Sequence, residues 1–211
     1  LRERAAATWD VPIDDVEWHG GQAVAVNGYK DQEGPMELLD IAKDMAKSGG
    51  PIVGRCSTNA QGAGPSFGCH IVDVEVDKET GKVSVARYTV IQDAGKAVHP
   101  SYVEGQYQGG AVQGIGWALN EEYIYDENGK VENAGFLDYR VPVCSDVPMI
   151  DTVIVEVHNP THPYGVRGVG ETPLVPPLAA ISNAVENALD IRFTELPMSP
   201  PRVLAAIESA G

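Results

Sequence analysis

The chain has 211 residues, 43% of them hydrophobic, and a formal net charge of −15 at pH 7. A chain of this size can bury a sizeable core as one large or two small domains. The acidic balance argues against nucleic acid and anionic membrane surfaces as partners, because both attract basic proteins. No apolar run approaches the roughly 20 residues that span a bilayer, so we expect no membrane segment.

The cysteines indicate the compartment. Cys56, Cys69 and Cys144 are odd in number and widely spaced, with no Cys-x-x-Cys pair among them. This pattern argues against a disulfide framework, an iron–sulfur cradle or another cysteine-based metal site. We therefore expect buried thiols and a cytoplasmic protein.

Residues 1–64 are predicted to form a small α+β segment and a linker. The helix-forming run Leu1–Thr8 has no N-cap signal, which predicts that it continues a helix begun upstream. The chain is accordingly expected to be a piece of a larger polypeptide or a subunit that completes one. Val16–Trp18 and Ala23–Val26 flank two glycines, and this arrangement predicts a β-hairpin.

A helix is predicted next, over Met36–Ala46, from apolar residues at helical spacing. Gly49 and Gly50 are expected to end it. Residues 51–68 are rich in Gly, Ser, Asn and Pro and show no periodicity, so we expect a linker or an ordered loop there.

Residues 65–211 are predicted to form the second domain, which begins with the strongest β pattern of the chain. From Val72 to Val76 valines alternate with acidic residues, and Lys78–Gly81 turns the chain into a second strand. This pattern predicts a hairpin with one face on a core and the other in water. The later predicted elements are a hairpin over Glu122–Phe136 turning at Asp126–Gly129, a strand over Val153–Val157, a helix over Leu178–Leu189 and a short helix capped by Ser199.

Residues 101–119 are predicted to form a helix with five glycines. At about 0.8–1 kcal/mol each relative to alanine, these glycines cost on the order of 4–5 kcal/mol in helix propensity. Close packing, a ligand or both must offset that cost. Gln106 and Gln113 lie two turns apart, so their amides point the same way and suit a heterocycle or phosphate edge. The alternative is a tightly packed core helix with two solvated glutamines.

Glu171 follows three glycines, at positions 165, 168 and 170, and precedes an apolar helix. Glycine permits close approach of another backbone or a ligand, so an acid at this point is a candidate functional residue. Two alternatives remain open. Glu171 can favour the N-terminus of the following helix electrostatically, or residues 165–170 can form a backbone nest for an anion.

Six segments and the chain ending form an ordered series: Asp93–Pro100, Glu104–Gln106, Val112–Gly116, Glu121–Glu122, Asp138–Tyr139, Gly168–Glu171 and Ala179–Ala188 with Glu195–Pro197 and Pro201–Val203. Together they resemble the C-terminal part of the molybdenum-binding subunit of the xanthine dehydrogenase and aldehyde oxidase family. That family includes aerobic carbon monoxide dehydrogenases and N-heterocycle hydroxylases. The resemblance covers nearly all of the chain and is best from about residue 65 onward.

The resemblance implies the α+β fold of a second molybdopterin-binding domain, in which hairpins and a mixed sheet pack with the glycine-rich helix and C-terminal helices. It implies oxidation of an aldehyde, purine or N-heterocycle carbon with water as the oxygen source. Glu171 matches the catalytic glutamate, a general base. Gln106 matches a glutamine that hydrogen-bonds the pterin, and Gly168 and Gly170 would line the metal pocket. No residue is implied as a metal ligand, and Arg167 replaces the usual lysine.

The implied cofactor is a molybdopterin-type molybdenum cofactor, with the cytosine dinucleotide form as one candidate. The resemblance places a [2Fe-2S] centre and FAD on partner domains or subunits. The expected partners are therefore the rest of the molybdenum subunit, an iron–sulfur subunit, an FAD subunit and a small-molecule substrate, and the isolated chain is expected to be inactive. The alternatives are a carbon monoxide dehydrogenase-like subunit and a non-catalytic scaffold or assembly module, which predicts an exposed Glu171 or one paired away from any cavity.

Three other side chains carry expectations. Trp117 and Tyr123 are predicted to lie in the core. Arg167, close to Glu171 in the chain, is expected to pair with it or to hold an anionic group. Prolines around His158 and His162 argue against a metal site there.

Overall fold

The computed structural model describes residues 1–29, 34–59, 62 and 64–210 and divides into two compact units, Leu1–Asn59 and Ala60–Gly211. Residues 60, 61 and 63 of the expected linker lie outside the described residues. The α+β class predicted from sequence is confirmed. The helices are α1 (Arg2–Trp9), α2 (Leu38–Lys43), α3 (Pro100–Leu119), α4 (Pro176–Leu189) and α5 (Pro200–Ala210), and the strands are β1 (Val16–His19), β2 (Gln22–Ala25), β3 (Met36–Glu37), β4 (Gly68–Val76), β5 (Val83–Asp93) and β6 (Ile150–Val155).

The first unit is an antiparallel sheet in the order β1-β2-β3 with the helices α1 and α2. Its β1–β2 hairpin forms as predicted. The predicted helix over Met36–Ala46 is too long at both ends, because Met36 pairs with Ala23 of β2 and the helix begins only at Leu38. Strand pairing here overrides the helical spacing, and of the apolar residues in α2 only Ile41 is buried.

The second unit contains a mixed sheet in the order β4-β5-β6, with β4 antiparallel and β6 parallel to the central β5. The β4–β5 hairpin and its alternation match the prediction, since Val72, Val74 and Val76 contribute to the core cluster while Asp73 and Glu75 are exposed. The helices α3 and α4 pack on the inner face of this sheet. The largest fully buried side chains of this core are Tyr88 and Val90 of β5, Tyr107 and Ile115 of α3, Ile181 and Val185 of α4, and Met198 and Val203 near the end of the chain.

The hairpin predicted over Glu122–Phe136 is reduced to its turn. Asp126 caps that turn by accepting the N–H groups of Asn128 and Lys130, but pairing is limited to one bridge between Tyr125 and Val131. The buried Asn133 side chain accepts the N–H of Ile124 and donates to the carbonyl of Glu122, which satisfies the backbone without a ladder.

The burial predictions for Trp117, for Tyr123 and for the cysteines are wrong. Trp117 is 40% exposed and Tyr123 63% exposed, because the buried face of α3 is taken by its neighbours from Val103 to Ala118 and the Tyr123 segment has no covering layer. All three cysteines are unpaired thiols that are exposed instead of buried. In the described part of the chain, no cluster of His, Cys, Asp or Glu could hold a metal ion, and no helix is both long and apolar enough to cross a bilayer.

His70 of β4 is a half-buried imidazole whose Nδ1 lies 2.9 Å from the hydroxyl oxygen of Tyr88. Burial lowers the pKa of His70 to about 4, against an ordinary value of 6.5. Between those two values the unfolded chain binds more protons than the folded one. Neutral His70 therefore contributes fully to the free energy of unfolding above pH 6.5, and this contribution is lost as the pH falls towards 4.

We expect His70→Gln, which keeps a hydrogen-bonding group beside Tyr88, to flatten the fall in the free energy of unfolding between pH 7 and pH 4.5. Urea titrations at several pH values measure this quantity. His19→Gln changes an exposed histidine and should leave the slope as it is. Equal slopes for the parent and His70→Gln would contradict the assignment.

Candidate functional site

Four of the five glycines of α3 fall into two sets, and the fifth, Gly116, lies against Glu121 and Pro142. A Cβ added to Gly110 would lie 2.5 Å from Cγ of Pro173, and one added to Gly114 would lie 2.5 Å from Cγ of Pro177. These distances are shorter than a carbon contact allows, so close packing on the start of α4 requires glycine here. Gly105 and Gly109, in contrast, have no atom within 4 Å of the added Cβ. Packing therefore does not explain these two.

Gln106 lies on this open face, between Gly105 and Gly109, and its side chain is exposed. Across residues 64–210 its amide has no hydrogen-bond partner. Gln113, two turns further along, is exposed as well. The open face of α3 thus presents amide groups beside two glycines that leave room for a close approach.

The segment that ends in Glu171 is anchored on the end of β5. The backbone N–H of Arg167 donates to the carbonyl of Ala94 at 3.0 Å, and its Nε lies 2.7 Å from Oδ2 of Asp93. Gly95 has φ of 66°, and a Cβ there would lie 2.2 Å from the carbonyl oxygen of Gly165. The expectation that Arg167 pairs with Glu171 is wrong, because Asp93 holds the guanidinium in a buried pair.

The structure brings Gln106 and the glycines before Glu171 together. A Cβ added to Gly170 would lie 3.2 Å from Oε1 of Gln106, so the amide rests against the backbone immediately before Glu171. Gly168 has open space around it. Glu171 is exposed and precedes a 3₁₀ turn over Thr172–Leu174, whose Leu174 N–H donates to the Glu171 carbonyl at 3.1 Å.

The carboxylate of Glu171 forms no hydrogen bond or ion pair across residues 64–210, and neither do the N–H groups of residues 168–171. The alternative of a backbone nest over residues 165–170 is not supported, since of its glycines only Gly165 has a positive φ in this described stretch. The N–H groups of Val166 and Arg167 are already bonded to Pro163 and Ala94. Free donors thus begin at Gly168, two residues before the Gly170 that lies beside Gln106.

A cleft of about 200 Å³ opens beside this contact. Gln106 and Val169 both line it, while Gly168, Gly170 and Glu171 are outside its lining. His99 and Tyr102 also line it, and their rings stack with centroids 4.0 Å apart. The remaining lining residues are Ala94, Lys96, Val98, Val103, Val166 and Arg167.

The charged groups around the cleft are largely paired. Lys96 lies 3.0 Å from Glu156, and this ammonium together with the Ala97 N–H lowers the pKa of the Glu156 carboxyl. Behind the cleft, burial together with the charge of Asp93 raises the pKa of Tyr107 to about 12, and its hydroxyl donates to the carbonyl of Gln92. The carboxylate of Glu171 differs from these groups because it has no ion-pair partner across residues 64–210.

Sequence reasoning assigned no role to Asp93. The residue appeared in a matching segment, but only the folded chain shows that its carboxylate joins three stretches of backbone. An acid at the end of a strand and two positions before a glycine was the available signal.

A larger hollow, of about 570 Å³, lies in the first unit and is lined by a single titratable residue, Glu37, and by none of the predicted site residues.

Comparison with known proteins identifies relatives of both sequence and structure. Residues 1–148 match the family model of the molybdopterin cofactor-binding domain. The xanthine dehydrogenase molybdenum-binding subunit of Escherichia coli O157:H7 is 38% identical over 184 residues, which are 85% of this chain and 24% of that protein. The chain therefore spans about a quarter of the length of this relative.

Two solved structures share the fold. The crystal structure of a Cu,Mo-CO dehydrogenase superposes with a TM-score of 0.83 at 26% identity, covering 99% of this chain and 27% of the other. The aldehyde oxidoreductase of Desulfovibrio gigas gives a TM-score of 0.63 at 34% identity, over 68% of this chain and 15% of the other.

Proposed function

Since the chain belongs to the family of molybdopterin-cofactor-binding subunits of the molybdenum hydroxylases, we propose that it forms one side of a molybdenum cofactor site in which Glu171 is the general base. The observation that carries this proposal is the contact between the Gln106 amide and Gly170. It joins the two motifs that are 65 positions apart in the chain at one place on the surface.

The residues around this contact fit such a group. Gly105 and Gly109 leave the open face of α3 free of side chains, so a flat heterocycle can approach the helix. The exposed Gln106 amide offers a donor and an acceptor to its edge. The free N–H groups of residues 168–171 add donors for an oxygen or sulfur atom on the same side.

The proposed roles follow from these positions. When bound, the molybdenum cofactor supplies the redox chemistry that removes two electrons from the substrate carbon, with water as the source of oxygen. Gln106 holds the pterin edge. Gly168 and Gly170 have no side chains, so the cofactor can approach the backbone at these positions. The carboxylate of Glu171 accepts the proton of the oxygen nucleophile as it attacks, a role worth typically 10²–10⁴-fold in other enzymes.

We propose an aldehyde, a purine or an N-heterocycle as the substrate class, with carbon monoxide as a second candidate because of the Cu,Mo-CO dehydrogenase likeness. The rest of a molybdenum subunit, an iron–sulfur subunit and an FAD subunit would complete the site and carry electrons away. The isolated chain would then be inactive, and the cytosine dinucleotide form of the pterin is our candidate.

One observation favours a non-catalytic assembly module of the same fold: Glu171 is exposed, as that alternative predicts. The two functions differ in cofactor content. A catalytic site retains molybdenum and pterin in the protein purified from its native host, whereas an assembly module contains neither.

Gln106→Ala tests the proposed pterin contact. Losing about one to two hydrogen bonds should lower molybdenum and pterin occupancy roughly 5- to 30-fold at limiting cofactor. Metal analysis and pterin fluorescence of the purified holo protein measure it. Asn128→Ala, which removes an exposed amide on the turn after Asp126, is the control and should retain the parent occupancy. Full occupancy in Gln106→Ala would refute the contact.

A further inference from the structure

Asp93 and Arg167 form the most deeply buried ion pair of the described residues, with side chains 7% and 11% exposed. Oδ1 of Asp93 accepts the N–H of Gly95 at 2.8 Å and that of Val157 at 3.0 Å, while Oδ2 receives Nε of Arg167 at 2.7 Å. One carboxylate therefore connects the end of β5, the backbone after β6 and the segment that leads to Glu171.

The stretch from Gly168 to Glu171 has little rigidity of its own. Two of its four residues are glycines, and none of its N–H groups is bonded across residues 64–210. Its position is set by Val169, which packs against the core, and by the anchors at its two ends. Arg167 is fixed on Asp93 and Ala94 on one side, and Pro173 is buried against Gly110 on the other.

Stability alone gives a weak reason for this pair. A buried ion pair pays desolvation on both groups and is often no more stable than apolar residues of the same volume. Hydrogen bonds and ion pairs have preferred distances and angles, whereas apolar contacts do not. They can therefore hold a backbone segment in one position.

We propose that Asp93 and Arg167 are positioning residues, which hold the segment 168–171 so that Glu171 faces the site beside Gln106; this inference rests on the proposed function of Glu171. The pair is buried, and the bonds that Asp93 makes all lie within the fold. Its effect passes through the backbone at Arg167 to the acid four residues later.

Hydrogen–deuterium exchange of the purified protein tests the positioning without any catalysis. In Arg167→Met the hydrogen-bonded amides of residues 166 and 167 should exchange at least about tenfold faster than in the parent, with exchange in β5 and α4 unchanged. Arg192→Met is the matched control, since Arg192 pairs with Glu186 at an exposed site. Arg167→Lys keeps the charge and should bring exchange back to within about threefold of the parent.

A uniform rise over β5 and α4 as well as residues 166 and 167 would show a merely structural role and overturn the proposal, and so would unchanged exchange at residues 166 and 167. Asp93→Asn keeps the shape of the side chain and provides the same comparison if Arg167→Met does not fold.

The molybdenum-loaded complex of this chain with its partner subunits, purified from the native host, provides the second readout, with benzaldehyde, hypoxanthine and nicotinate as substrate probes. We expect Arg167→Met to lower kcat at least about tenfold at unchanged KM and molybdenum content. Unchanged kcat despite faster local exchange would overturn the link to Glu171. If the parent turns over no probe, the proposed function fails for these substrates, while the exchange experiment still decides whether the pair positions the segment.

Discussion

Glu171→Gln is expected to lower kcat of the molybdenum-loaded complex, in which the chain is assembled with its partner subunits, by about 10²–10⁴-fold, because glutamine keeps the shape of the side chain but accepts no proton at the reacting atom. Molybdenum and pterin content should stay at the parent level, since the cofactor contacts assigned here belong to Gln106 and to backbone groups. Turnover of benzaldehyde, hypoxanthine and nicotinate, divided by molybdenum content, measures the effect.

Glu75→Gln removes an exposed carboxylate on β4 and is the matched control for the change in net charge. Its turnover should equal that of the parent. Turnover in Glu171→Gln within about threefold of the parent would remove Glu171 from the chemistry. Loss of molybdenum from the same variant would instead assign the carboxylate to cofactor retention.

Neighbouring glycines of α3 should respond to alanine in opposite directions. Gly110→Ala is expected to lower the free energy of unfolding by about 1–3 kcal/mol, because its Cβ would overlap the rigid ring of Pro173. Gly109→Ala is expected to raise it by about 0.8–1 kcal/mol, the gain in helix propensity at a position with open space. Urea unfolding of the two variants measures the difference.

The Gly109 variant also tests the open face of α3. If that face holds the cofactor, the more stable Gly109→Ala should lose molybdenum occupancy, because the added methyl group lies where the heterocycle approaches. Equal stability of the two alanine variants would contradict the packing argument. Full occupancy in Gly109→Ala together with the expected gain in stability would place the cofactor away from this helix.

Local pattern was sufficient for most elements of the second unit. Alternating valines specified the β4–β5 hairpin, apolar spacing specified α4, and the glycine-rich run formed α3 despite its poor propensity. Where an element depended on partners distant in the chain, local pattern failed. Met36 joined a strand instead of a helix, and the hairpin after Asp126 lacked a buried face that would have stabilised its strands.

The amino-acid order by itself determined the family and nominated Glu171 and Gln106, because short motifs in a fixed succession are a property of the sequence. Only the tertiary structure decided which glycines of α3 serve packing and which stay open, since that depends on where Pro173 and Pro177 arrive. It also decided that Arg167 belongs to Asp93 and not to Glu171. Ion pairs form between groups that the fold brings within a few ångströms, so the distance in space, and not the separation along the chain, decides the partner.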